Sequence, residues 1–88
     1  MKFSQKTVER IEELLHLAGY KVRYEKGAFR GGACMVEDQR LVVINKFFPA
    51  EARAASLAEI FLGLELEGLE LNDVQSKFVK DLRKTIVA

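Results

Sequence analysis

Imidazoles and thiols are nearly missing from this chain, which has one histidine, His16, and one cysteine, Cys34, in 88 residues. A lone cysteine closes no internal disulfide, so the fold must stand on its core alone, as expected in a reducing compartment. A nitrogen- and sulfur-ligated zinc site needs several such side chains in one place. The glycines match neither a phosphate-cradling Walker loop nor a dinucleotide fingerprint, and Ser4, Ser56 and Ser76 lack the setting of a nucleophile elbow. These gaps predict a protein with no catalytic residue, no metal and no cofactor. No stretch reaches 18 apolar residues, and Met1 to Arg10 mixes charges with isolated apolar residues rather than forming a signal-type run. The expectation is a cytoplasmic protein without membrane contact.

What the chain does have is enough apolar matter for one core. Apolar residues make up 49% of it and charged residues 31%, which argues against disorder. Residues 1–88 are read as a single α+β domain, since a chain of this length buries only about 60 to 65% of its unfolded surface and cannot divide its core. Fourteen Lys and Arg face thirteen Asp and Glu, net +1, so any anion site must be local.

Residues 4–18 predict a helix, with Ser4 as cap, Val8, Ile11, Leu15 and Ala18 as the apolar stripe and Gly19 as the stop. Tyr20, Val22 and Tyr24 then alternate with Lys21, Arg23 and Glu25, the period of a strand with one wet face. Phe29–Val36 reads as a second strand, Glu37–Gln39 as a turn, and Leu41–Asn45 as a third strand. That third strand lacks polar alternation, which places it at the middle of the sheet or under cover. Pro49 opens a helix from Ala50 to about Leu64 that is apolar or small nearly all round, so it should be buried on two sides. Residues 64–71 alternate with period two around Gly68 and read as a helix end and loop or as a short edge strand, the loop being preferred. Asn72 and Gln75 have capping-box spacing ahead of a last helix with Val74, Phe78, Val79, Leu82 and Ile86 as its stripe. The predicted fold is α-β-β-β-α-α with a three-stranded antiparallel sheet.

Charge is distributed unevenly. Residues 50–74 set six acids against Arg53, net −5, whereas residues 75–88 set Lys77, Lys80, Arg83 and Lys84 against Asp81, net +3. Lys77, Lys80 and Lys84 share one face of the last helix. A hairpin of the first two strands would gather Lys21, Arg23, Lys26 and Arg30 near Tyr20, Tyr24 and Phe29, the mixture of cations and aromatics that can hold nucleic acid. His16 reads as a surface residue beside Glu12 and Glu13, and Cys34 as a small buried hydrophobe.

Two resemblances follow from these elements. The order helix, three strands, helix looks like the double-stranded RNA-binding domain, which implies contact with duplex phosphates and 2′-hydroxyls. Where that family opens its second helix with a lysine cluster, this chain has Pro49 to Arg53, with one cation and one acid. From Gly19 to Leu82, the sheet ending in Leu41–Asn45, the helix through Arg53 to Leu64 and the Leu69–Leu82 segment look like the minimal core of the ImmA/IrrE-type zinc peptidases. That family carries HExxH on the central helix, two histidines for zinc and a glutamate for water. Here the matching stretch is Ala58, Glu59, Ile60, Phe61, Leu62, and only Glu59 agrees. The resemblance therefore implies a zincin-like scaffold without its zinc ligands and without peptidase activity.

The expectation drawn from all this is a non-catalytic protein-interaction module, self-associating as a homodimer through Leu62, Leu64, Leu66 and Leu69. The rival is a nucleic-acid-binding domain using Lys21, Arg23, Lys26 and Arg30 with Lys77, Lys80 and Lys84.

Overall fold

A computed structural model of the chain describes residues 2–26, 31–36, 38–64 and 68–87. Six elements follow one another: α1 (Gln5–Leu17), β1 (Tyr20–Glu25), β2 (Gly31–Val36), β3 (Gln39–Asn45), α2 (Ala50–Gly63) and α3 (Asp73–Val87). The α-β-β-β-α-α order is the one predicted. The sheet is mixed and not antiparallel, with strand order β1-β3-β2. β3 pairs antiparallel with β2 and parallel with β1.

The physical reason lies in β3. β2 and β3 are adjacent in the chain, with Asp38 between them in the left-handed region (φ 66°), and their antiparallel pairing fills one side of β3. Only the other side is left for β1. β1 ends, at Glu25, at the end of the sheet where β2 begins, at Gly31, so the two run in opposite directions and β1 runs with β3. The predicted hairpin of β1 with β2 does not form, because β3 lies between them.

The local signals at the helix ends behave as their chemistry requires. The Ser4 amide donates to Thr7 Oγ1 at 3.2 Å, and the Thr7 hydroxyl donates to the Lys2 carbonyl at 2.9 Å, fastening the start of α1. Gly19 turns the chain out of α1 at φ 87°, a backbone state that side chains resist. At α3 the cap is reciprocal: the Gln75 amide donates to Asn72 Oδ1 at 2.8 Å and the Asn72 amide to Gln75 Oε1 at 3.0 Å.

One face of the sheet carries Val42 and Ile44, both fully buried under α1 and α2. Tyr20, Val22 and Tyr24 pack on the same core from β1. α2 is the central helix, touching α1, β3, β2 and α3, with Ala54, Leu57, Ala58 and Phe61 at zero exposure. This is the two-sided burial that its all-round apolar character predicts. Burying one such Phe or Leu contributes about 1.5 to 3 kcal/mol. α3 packs on α2 through Phe78 and Leu82, and the Arg10 guanidinium of α1 lies 4.1 Å above the Phe78 ring. Val74, expected on the buried stripe, is 67% exposed, because it precedes the turn at which α3 meets α2.

The other face of the sheet presents Lys21, Arg23 and Cys34 to solvent, while Leu41 at its centre is buried between Lys21 and Cys34 in neighbouring strands. Cys34 is thus exposed and not buried as expected, since an edge strand has no neighbour to cover it. Among the described residues no helix is long and apolar enough to cross a membrane.

Candidate binding surface

The cationic surface with the most shape lies along α3. Residues Asp73 to Lys84 and the preceding Leu71 line an open groove of about 1200 Å³. Leu71 and Val79 give it an apolar floor, and the methylene stems of the lysines extend that floor while their ammonium groups stay in water. Lys77, Lys80, Arg83 and Lys84 bring positive charge to the groove, and Asp73 stands at its other end. The helix holds this arrangement because Phe78 and Leu82 anchor the opposite face in the core. Lys84 also sits in the last turn of α3, where it offsets the partial negative charge of the helix C-terminus.

The remaining predicted residues are scattered. Lys21, Arg23 and Lys26 are exposed on or just after β1, and Arg23 is engaged with Glu25 at 2.9 Å. Arg30 and Phe29 lie outside the described residues. Tyr20 and Tyr24 point to the helices while Lys21 and Arg23 point away from them, so cations and aromatics of β1 do not share a face. The β1 cations lie on the far side of the sheet, and α3 packs on α2 on the near side, so the two basic clusters are separated by the sheet and the α1–α2 layer.

Leu62 and Leu64 are half-buried against the protein's own core, Leu69 is half-buried, and Leu66 lies outside the described residues. Glu59 is exposed on α2, while of the two positions aligned with zinc ligands Ala58 is fully buried and Leu62 is half-buried against the core. His16 is exposed on α1. Among the described residues no group of three or more His, Cys, Asp or Glu side chains could hold a metal ion.

One cluster escaped sequence reasoning. Arg53 of α2 donates from Nε to the Phe48 carbonyl at 2.8 Å and from Nη2 to the Lys46 carbonyl at 2.7 Å, and its guanidinium stands 4.8 Å from the Tyr24 ring. The Tyr24 hydroxyl donates to Glu12 of α1. Burial, and then the hydrogen bond to Glu12, push the Tyr24 hydroxyl well above the ordinary tyrosine pKa, with the nearby Arg53 charge pulling the other way. The network ties α1, β1 and α2 to the β3–α2 turn, where the Phe47 amide also donates to Asn45 Oδ1 at 3.0 Å. Its one visible sign in the sequence is that Arg53 is the single cation in a 25-residue acidic stretch.

Comparison of the chain with protein-family models, with curated proteins and with solved structures finds no match.

Proposed function

We propose that this protein is a non-catalytic module that works by binding another protein, and that its contact surface is the groove on α3. The observation that carries the reading is the union of an apolar floor with four cations on one anchored helix. An apolar concavity supplies the attraction and the fixed charges supply selectivity. The leucine-rich exit of α2 is the weaker choice, because Leu62 and Leu64, half-buried against the core as Leu71 and Val79 also are, lie in a stretch whose one cation is Arg53.

The non-catalytic part rests on residue chemistry. His16 and Cys34 sit on separate elements, α1 and β2, and the helix positions that would carry zinc ligands are the buried Ala58 and the half-buried Leu62. In this proposal the scaffold is a zincin-like one in which the wet cleft of a peptidase is replaced by side-chain packing. A nucleic-acid reading is disfavoured because its two basic clusters face different sides of the molecule.

The test is site-specific photocrosslinking in the organism that makes the protein. A benzoylphenylalanine in place of Ser76 in the groove should yield a discrete adduct, and the same probe in place of the exposed Glu13 on α1 should not. The adduct should vanish in a Lys80→Glu, Lys84→Glu background. Equal adducts from both positions, or none from either, would refute the assignment.

A further inference from the structure

We infer that the partner seated in the α3 groove is an acidic amphipathic helix of another protein, with apolar side chains on one stripe and carboxylates flanking them. This rests on the reading of α3 as the contact surface and goes on to give the partner its chemistry.

Three observations lead there. First is length: Asp73 to Lys84 spans eleven helical steps, about 17 Å, the reach of three turns of a second helix. Second is the pattern. Lys77, Lys80 and Lys84 recur at spacings of three and four beside Val79 and Leu71, so one helix of i, i+3/i+4, i+7 apolar spacing can set its stripe on the floor. Its flanking carboxylates then meet the ammonium groups. Third is sign: among the described lining residues the cations outnumber the one acid, Asp73, which sits at one end. A partner's acids must therefore track the Lys77–Lys84 portion, and its uncharged or basic end must lie beside Asp73.

The same surface suits other anions less well. A membrane-surface helix needs Trp, Phe or Leu to enter the acyl layer, and the apolar residue that α3 gives the groove is Val79, half-buried against the core. Single-stranded nucleic acid is held by stacking on aromatics between cations, and the groove contains no aromatic side chain among its described lining residues. An apolar floor with charged edges, lacking rings, fits a side chain from a protein.

The experiment is an NMR titration of the ¹⁵N-labelled full chain with a synthetic 15-residue peptide whose leucines follow i, i+3, i+7 and whose other positions are mostly glutamate. Amide shifts should concentrate at Ser76, Val79, Lys80 and Arg83. Affinity should fall at least tenfold between 50 and 500 mM salt and at least tenfold in Lys80→Glu, Lys84→Glu, whose dispersed spectrum reports that it is folded. The peptide with lysine for glutamate should cause no shifts. Absence of shifts, equal shifts from a peptide of the same composition in scrambled order, or tighter retention on oligouridine or on phosphatidylserine vesicles would overturn the inference. If the peptide fails while the Ser76 crosslink persists, only the partner's chemistry is wrong. If both fail, the α3 reading falls with it.

Discussion

Replacing Arg53 by methionine keeps the aliphatic reach of the side chain and deletes its charge and donors. Two charge-assisted hydrogen bonds to main-chain carbonyls are lost, at 2.8 and 2.7 Å, together with the stacking over Tyr24 at 4.8 Å. A hydrogen bond from a charged group contributes about 1.5 to 3 kcal/mol net. Arg53 is half-buried, so water can reach the vacated carbonyls, and the lower end of that range applies to each. Cation–π stacking adds about 0.5 to 1 kcal/mol. The expected loss is about 3.5 to 4 kcal/mol, a large part of the roughly 4 to 13 kcal/mol available to a domain of this size. In urea, with a slope of about 1 to 1.5 kcal/mol per molar, the unfolding midpoint should fall by about 2 to 4 M at unchanged slope. Arg53→Lys keeps the charge but has one compact donor head that cannot grip two carbonyls in a planar fork, so it should lose about half as much. Far-UV circular dichroism through urea titrations reads both. An Arg53→Met protein within about 0.5 kcal/mol of the wild type would mean that the clamp on the β3–α2 turn does not hold the turn, and the reasoning fails.

Three further outcomes follow from the same structure. Phe61→Ala empties the centre of α2 at a position with no exposure; it should cost about 3 to 5 kcal/mol, and near-native thermal stability would contradict the assigned core. Gly63→Ala, in open space at the end of a helix, should stabilise by about 0.5 to 1 kcal/mol, whereas Gly19→Ala, in equally open space but at φ 87°, should destabilise by about 1 kcal/mol or more; calorimetry of the pair isolates the backbone cost. Tyr24 is favoured in its neutral form by the fold, so its contribution is whole below about pH 10, the ordinary tyrosine value, and is lost as pH rises through the higher folded value. The stability advantage of the wild type over Tyr24→Phe should hold from pH 7 to about 10 and shrink above that, as read from urea midpoints; a gap that stays constant to pH 11 would show that Tyr24 is not so held.

Periodicity and caps carried most of the secondary structure. The alternation of Tyr20 to Glu25, the Asn72 and Gln75 spacing and the all-round apolar α2 each translate directly into a burial or a bond that is present. Strand order was harder, because alternation tells how many faces of a strand are covered and says nothing about its neighbours. The unbroken Leu41–Ile44 run left two readings open, a central β3 or a covered one, and only the central one is incompatible with a β1–β2 hairpin. For the candidate surface, the helical spacing of Lys77, Lys80 and Lys84 was legible, since it depends on one element alone. The groove that joins them to Leu71 was not, because it depends on how α3 is seated. The Glu12–Tyr24–Arg53 network was invisible for the same reason: its members come from three elements, and no local spacing links them.

The position of β1 has a consequence for the order in which the chain assembles. Each residue of β1 finds its partner in β3 twenty positions downstream, while Val36 of β2 already pairs with Gln39 of β3 three positions on. Closing the nearer loop first costs less chain entropy, so the β2–β3 ribbon forms before β1 has an edge to join. During synthesis the N-terminal α1 and β1 leave the ribosome ahead of that edge and must wait for it. β1 is therefore locked in place only by a strand made after it.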